Sequence, residues 1–214
     1  MIIMKQHRAQ LLAAIALLVV VLDQILKIWV KTTFYLGEDV ALTSWFHIAF
    51  VQNPGMAFGW EMGSKLALTL FRIVAIGVGV WYLCRLLRRN TQKPFGYLVC
   101  VALIVAGAAG NVIDCMFYGL IFDNPMPPQT AALFPAAGGY GTFLHGQVVD
   151  MLYFPLFSFT WPDWMPWVGG EYFEFFHPVF NLADSAITVG ILALILFYSK
   201  QLNDDEQDAN SSKA

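Results

Sequence analysis

Two stretches of the chain repeat one short spacing, Asn111-x-x-Asp114 and Asn181-x-x-Asp184, each at one end of a long apolar run. Residues three apart share a helix face, so each stretch sets an amide beside a carboxylate. A third carboxylate, Asp150, follows Gly146-Gln147-Val148-Val149, where a glycine and two β-branched residues read as extended chain re-entering an apolar surface. Two carboxylates held close and partly dry cannot both ionise cheaply; one keeps a proton while the other stays charged. Such a pair can activate a water and protonate a leaving amine. The histidines (His7, His47, His145 and His177) are scattered, and Cys84, Cys100 and Cys115 lack ligand spacing, so metal and disulfide chemistry are not expected. No Gly-x-Ser-x-Gly elbow is present. Hydrolysis by a carboxylate pair fits these residues best. On helical geometry alone Asp114 and Asp184 are the natural pair, since both fall on expected helices.

The elements that must position them belong to a membrane protein. Of 214 residues 58% are hydrophobic and 13% charged, with a mean hydropathy of +0.60, which excludes an ordinary soluble domain. The net charge of -3 gives no sign of a nucleic-acid partner. Apolar runs predict four spans, at about 11–30, 66–87, 95–117 and 179–198. Lys5 and Arg8 precede the first, Arg85, Arg88, Arg89 and Lys93 fill the second connection, and Lys200 follows the fourth. The positive-inside rule therefore places both termini in the cytoplasm. Two outer segments result, roughly 31–65 and 118–178, and both Asn-x-x-Asp pairs lie near the outer surface. Asp184 would sit about 7 Å below it.

Within the first span Asp23 and Lys27 stand four apart and can pair. Arg72, inside the second span, needs a partner or water. Residues 40–52 are rich in β-branched and aromatic side chains and predict strands, ending in a turn at Asn53-Pro54-Gly55-Met56-Ala57-Phe58-Gly59. The small residues of Ala106-Gly107-Ala108-Ala109-Gly110 let a neighbouring helix approach closely. Trp161, Trp164, Trp167, Tyr172, Phe173, Phe175 and Phe176 crowd the chain before the last span, a density that suits the lipid headgroup layer. The fold class is thus a mainly α membrane protein: four transmembrane helices, an extracytoplasmic β-rich cradle and a long second extracytoplasmic segment. Residues 1–202 read as one domain, and the polar residues 203–214 as a disordered tail. Intramembrane carboxylates also mark proton- or solute-coupled transporters, but those place them near the midplane.

Five blocks in order give this chain a family resemblance: Leu22-Asp23-Gln24-x-x-Lys27, Asn53-x-Gly55-x-Ala57-Phe58, Gly110-Asn111-x-x-Asp114, Gly146-x-Val148-Val149-Asp150 and Phe180-Asn181-x-Ala183-Asp184-Ser185. Together they resemble lipoprotein signal peptidase, or signal peptidase II, over nearly the whole chain. The resemblance implies a cofactor-free, globomycin-sensitive aspartic endopeptidase of the bacterial inner membrane. Such an enzyme acts as a monomer on diacylglyceryl-modified prolipoproteins and cuts before the lipidated Cys. It assigns the catalytic pair to Asp150 and Asp184, not Asp114, and gives Asp23, Lys27, Asn53, Asn111, Asp114, Asn181 and Ala183 supporting or substrate-binding roles. Three departures stand out: Cys115 replaces the family's usual basic residue after Asp114, Pro54 stiffens the Asn53 turn, and the chain is lengthened on both sides of Asp150.

Overall fold

The computed structural model describes residues 2–54, 65–88 and 93–211; for 2–5 and 203–211 only the backbone course is considered. Helices α1 (Ile2–Thr33), α2 (Lys65–Arg88), α3 (Phe95–Ile113) and α5 (Leu182–Ser211) dominate, and the single-turn α4 (Gly119–Ile121) extends the third. Their apolar stretches, Gln6–Thr33, Lys65–Arg88, Phe95–Ile121 and Leu182–Leu202, are each long enough to cross a bilayer. Number and order match the four expected spans. Large apolar side chains such as Leu18, Phe71 and Leu196 face outward, where lipid tails satisfy them.

The central helix is α3, which packs on α5, α1 and α2. Its glycines explain the fit. A Cβ on Gly107 would run into the carbonyl oxygen of Ala183 and the Ile187 side chain, and one on Gly110 would lie 2.7 Å from Asp23 Oδ2. The small-residue run therefore does what its composition predicts, admitting α5 at Gly107 and both α1 and α5 at Gly110.

Three boundaries differ from the sequence expectation. The third span continues past residue 117 through a π-helical turn, Asp114–Tyr118, into α4. The last helix begins at Leu182 rather than at residue 179, because Phe180 is held as extended chain against Leu152: Phe180 N donates to Leu152 O at 3.0 Å, and Leu152 N returns to Phe180 O at 2.7 Å. At the other end, α5 runs on to Ser211, with a break in helical geometry at Tyr198, where polar composition predicts a disordered tail. A helix already nucleated in the membrane extends at little cost through residues such as Glu206, Gln207 and Ala209.

Two small sheets sit at the α1 C-terminal end. Strands β1 (Asp39–Ala41), β2 (His47–Asn53) and β3 (Val148–Tyr153) form an antiparallel cradle in that order, as the alternation of residues 40–52 predicts. Its register shifts between Ile48 and Val51, a bulge beside Asp150. Strands β4 (Phe157–Thr160) and β5 (Tyr172–Phe175) make a separate hairpin. Alternation along β3 sends Val149 and Met151 into a core with Val30, Phe34, Phe50, Tyr118 and Phe122, and turns Asp150 to the opposite face.

Candidate active site

Four elements converge where α3 ends and α5 begins. Asn181 is the N-cap of α5, not a residue on its face: its Oδ1 accepts the backbone N–H of Asp184 at 2.9 Å. That interaction fixes the amide's orientation, so its Nδ2 points away and donates to Asp150 Oδ1 at 2.7 Å. The same Nδ2 lies 3.1 Å from Asn111 Oδ1. Asn111, on α3, donates its own Nδ2 to Asp184 Oδ1 at 2.7 Å. Two carboxylates from a strand and a helix are thus joined through two amides, each giving a proton to one acid.

Beneath this pair lies an ionic cluster closed to solvent. Lys27 Nζ is 2.8 Å from Asp23 Oδ2, 2.7 Å from Asp114 Oδ2 and 2.7 Å from Asn111 Oδ1. All three ammonium protons are used, and the Asn111 contact fixes that amide as well. Asp23 also accepts the Ala183 N–H at 2.9 Å, which ties α1 to the first turn of α5. Asp114 accepts from Gln24 Nε2 at 2.9 Å and from the Val149 N–H at 3.4 Å, and Tyr118 Oη donates to Gln24 Oε1 at 3.1 Å. Its carboxylate is therefore fully engaged in binding α1 and β3 to α3. The pair that faces across the two amides is Asp150 with Asp184, and helical geometry alone would have chosen differently.

Asp150 is 3% exposed. Burial pushes its carboxyl up to about 7, reinforced by the charge of Asp184; hydrogen bonds from Asn181 and Asn53 and the charge of Lys27 oppose the rise. Asp184 is half-buried in the first turn of α5. Asn53 reaches Asp150 from the end of β2, not from the tip of a turn. The rest of that block, Gly55 to Gly59, lies outside the described residues.

Two cations complete the surroundings. Arg72 donates from Nη1 to Cys115 Sγ at 3.6 Å, and Lys65 also acts on that thiol electrostatically. The position that lacks a basic side chain of its own is thereby reached by cations from α2. Lys31 was not singled out by the sequence reading. Its ammonium is buried, finds no hydrogen-bond acceptor among the described residues, and lies 5.5, 5.4 and 5.1 Å from the ring centroids of Phe50, Phe122 and Tyr140. Its sequence sign is the four-residue step from Lys27. Gln24 and Tyr118 were also given no role from sequence, although Gln24 stands between Asp23 and the Lys27 turn. Among the described residues no cluster of His, Cys, Asp and Glu has the arrangement of a metal site.

The chain is similar to known proteins over nearly its whole length. A family model described as signal peptidase (SPase) II matches residues 15–200. The chain is 50% identical over 196 residues to a lipoprotein signal peptidase of Porphyromonas gingivalis, covering 92% of this chain and 86% of that protein. It is 41% identical over 188 residues to one from Amoebophilus asiaticus, covering 85% and 75%. In fold it is similar to a bacterial membrane enzyme solved by the in meso method, with a TM-score of 0.59 at 22% identity over 91% of each chain.

Proposed function

Because this chain belongs to the signal peptidase II family of membrane aspartic proteases, we propose that it cleaves diacylglyceryl-modified prolipoproteins just before the lipidated cysteine, with Asp150 and Asp184 as its catalytic pair. The observation that carries this reading is the pairing itself: two carboxylates oriented by facing amides, one buried enough to hold a proton near neutral pH. Family membership also removes the transporter reading of the buried charges.

With the proton on Asp150, ionised Asp184 takes a proton from water as the water oxygen bonds to the scissile carbonyl carbon. Asp150 gives its proton to the carbonyl oxygen. In the second half the C–N bond breaks, the leaving amine takes the proton from Asp184, and Asp150 recovers one from the diol. The pair returns to one shared proton, with no net change in charge. Lys27 stays charged throughout, because all three of its protons are held by neighbours. Asn111 and Asn181 hold the acids in place and spend no protons.

Purified protein given a diacylated prolipoprotein tests this. Asp150→Asn and Asp184→Asn should each abolish cleavage while leaving membrane insertion intact, since an amide cannot take up the water's proton. Asp114→Asn should act mainly through stability. If Asp114→Asn alone kills turnover while Asp150→Asn retains it, the pair is wrongly chosen.

A further inference from the structure

The β4–β5 hairpin leaves the cradle after Tyr153 and returns at Phe180, and the Leu152–Phe180 bridge closes its base. Its two faces differ. Phe157 pairs with Phe175 and Phe159 with Phe173, which puts four aromatic rings on one face, with Trp161 against Phe159 and Phe173. The other face carries Ser158, Thr160, Tyr172 and Glu174. Glu174 accepts a hydrogen bond from Tyr153 and lies 3.1 Å from His177 Nδ1. Glu174 ties the polar face to the end of β3 through Tyr153, while Ser158, Thr160 and Tyr172 on that face remain exposed. Phe157 and Phe175 remain 53% and 44% exposed.

A two-stranded ribbon is barely stable in water and needs an apolar cover. The strands pack chiefly on each other. The tip repeats the problem: Trp164 is 79% and Trp167 95% exposed. Trp167 also holds φ at 68°, a left-handed conformation that costs a bulky residue and comes easily to Gly or Asn. Neither burial nor backbone accounts for an indole there.

We propose that residues 153–179 are an interfacial foot whose aromatic face and tryptophan tip lie in the phospholipid headgroup layer. Three observations select lipid over a protein partner. The bridge that closes the hairpin's base, at Phe180, stands two residues before α5 enters its membrane span at Leu182, so the base is at bilayer level. The segment 118–178 contains Asp and Glu but no Lys or Arg, so attraction to anionic headgroups plays no part and insertion of aromatic rings must supply the binding. Finally, Trp45, Phe46, Phe154, Phe180 and Phe176 form a continuous chain of ring contacts from the cradle to the hairpin base. The foot is pinned two residues from Asp150 and one from Asn181. It would thus set the depth of the pair at which, on the function proposed above, a lipid-bearing substrate is cut.

The full-length protein in phosphatidylcholine vesicles tests this through tryptophan emission. Subtracting the emission of a Trp164→Tyr/Trp167→Tyr variant from that of the unaltered protein isolates the two tip indoles. Lipid brominated high on the acyl chain should remove most of that difference, and aqueous iodide much less. Stronger quenching by iodide would place the tip in water and overturn the proposal. Quenching by neither would mean a protein cover, from a second copy or another chain, and would overturn it equally. A kinetic arm reads the consequence: Trp164→Ser/Trp167→Ser should raise KM for a diacylated substrate several-fold at unchanged kcat. Quenching is independent of turnover, so failure of the proposed reaction and failure of the foot are separately visible.

Discussion

Asn181→Ala is the change whose effect follows most directly from the geometry. The substitution removes the Nδ2 donor 2.7 Å from Asp150 and the Oδ1 acceptor of the Asp184 N–H. A hydrogen bond to a charged group contributes about 1.5–3 kcal/mol, and each pKa unit corresponds to about 1.4 kcal/mol. The bond favours the ionised carboxylate, so its loss raises the carboxyl still further above about 7. Activity needs one proton on the pair and falls as that proton is lost, so the alkaline limb of kcat/KM should move up by about one to two pH units. The plateau should drop about ten- to a hundredfold through misplacement of the acids. Loss of the cap would weaken α5 by about 0.5–2 kcal/mol, which thermal unfolding reads separately. Initial cleavage rates of a diacylated peptide across pH 5–10 supply the profile. An unmoved or lowered alkaline limb in a folded variant would refute the assignment of the shared proton to Asp150.

Two further outcomes test the packing and the linkage. Gly107→Ala should destabilise the protein by about 1–3 kcal/mol, because its Cβ meets the Ala183 backbone. Gly77→Ala, which faces open space, should leave thermal stability unchanged or raised; equal effects would contradict the α3–α5 fit. Asp150→Asn should also stabilise the inactive protein at alkaline pH. A folded carboxyl raised to about 7 gives stability that is greatest below the ordinary carboxylate range and is lost as pH rises through 7, by up to about 4 kcal/mol. The advantage of the Asn variant in Tm should develop between about pH 4 and 7 and level off above that, and a pH-independent difference would refute the link.

Much of the site was legible because membrane chemistry makes charges conspicuous. Asp23, Lys27, Asp114 and Asp184 stand out in apolar runs, and helical spacing brings each beside its neighbour. What spacing could not reveal was which acid faces which. Asn181 and Asp184 are three apart for two different reasons, a shared helix face or a cap, and only the extended pairing of Phe180 with Leu152 decides for the cap. Asp150 lies on a strand whose partner is nearly a hundred residues away, so helix periodicity says nothing about it. The family resemblance supplied that residue, and the fold supplies its position. The hairpin was read as aromatic density without strands, because its two faces emerge only once Phe157 is set opposite Phe175.

The pairing of Asp23 with Lys27 bears on how the protein is made. Both lie on α1, one turn apart, so Lys27 enters the lipid with its counter-charge already beside it, before α3 or α5 has been made. When α3 follows, Asp114 and Asn111 find an ammonium already at the right depth. When α5 arrives last, its Ala183 N–H meets a carboxylate that has been waiting since the first span. Assembly of the site can therefore follow the order of synthesis, each new helix docking on charge laid down before it, and an α1 with Lys27 moved to another turn would leave every later arrival without a template.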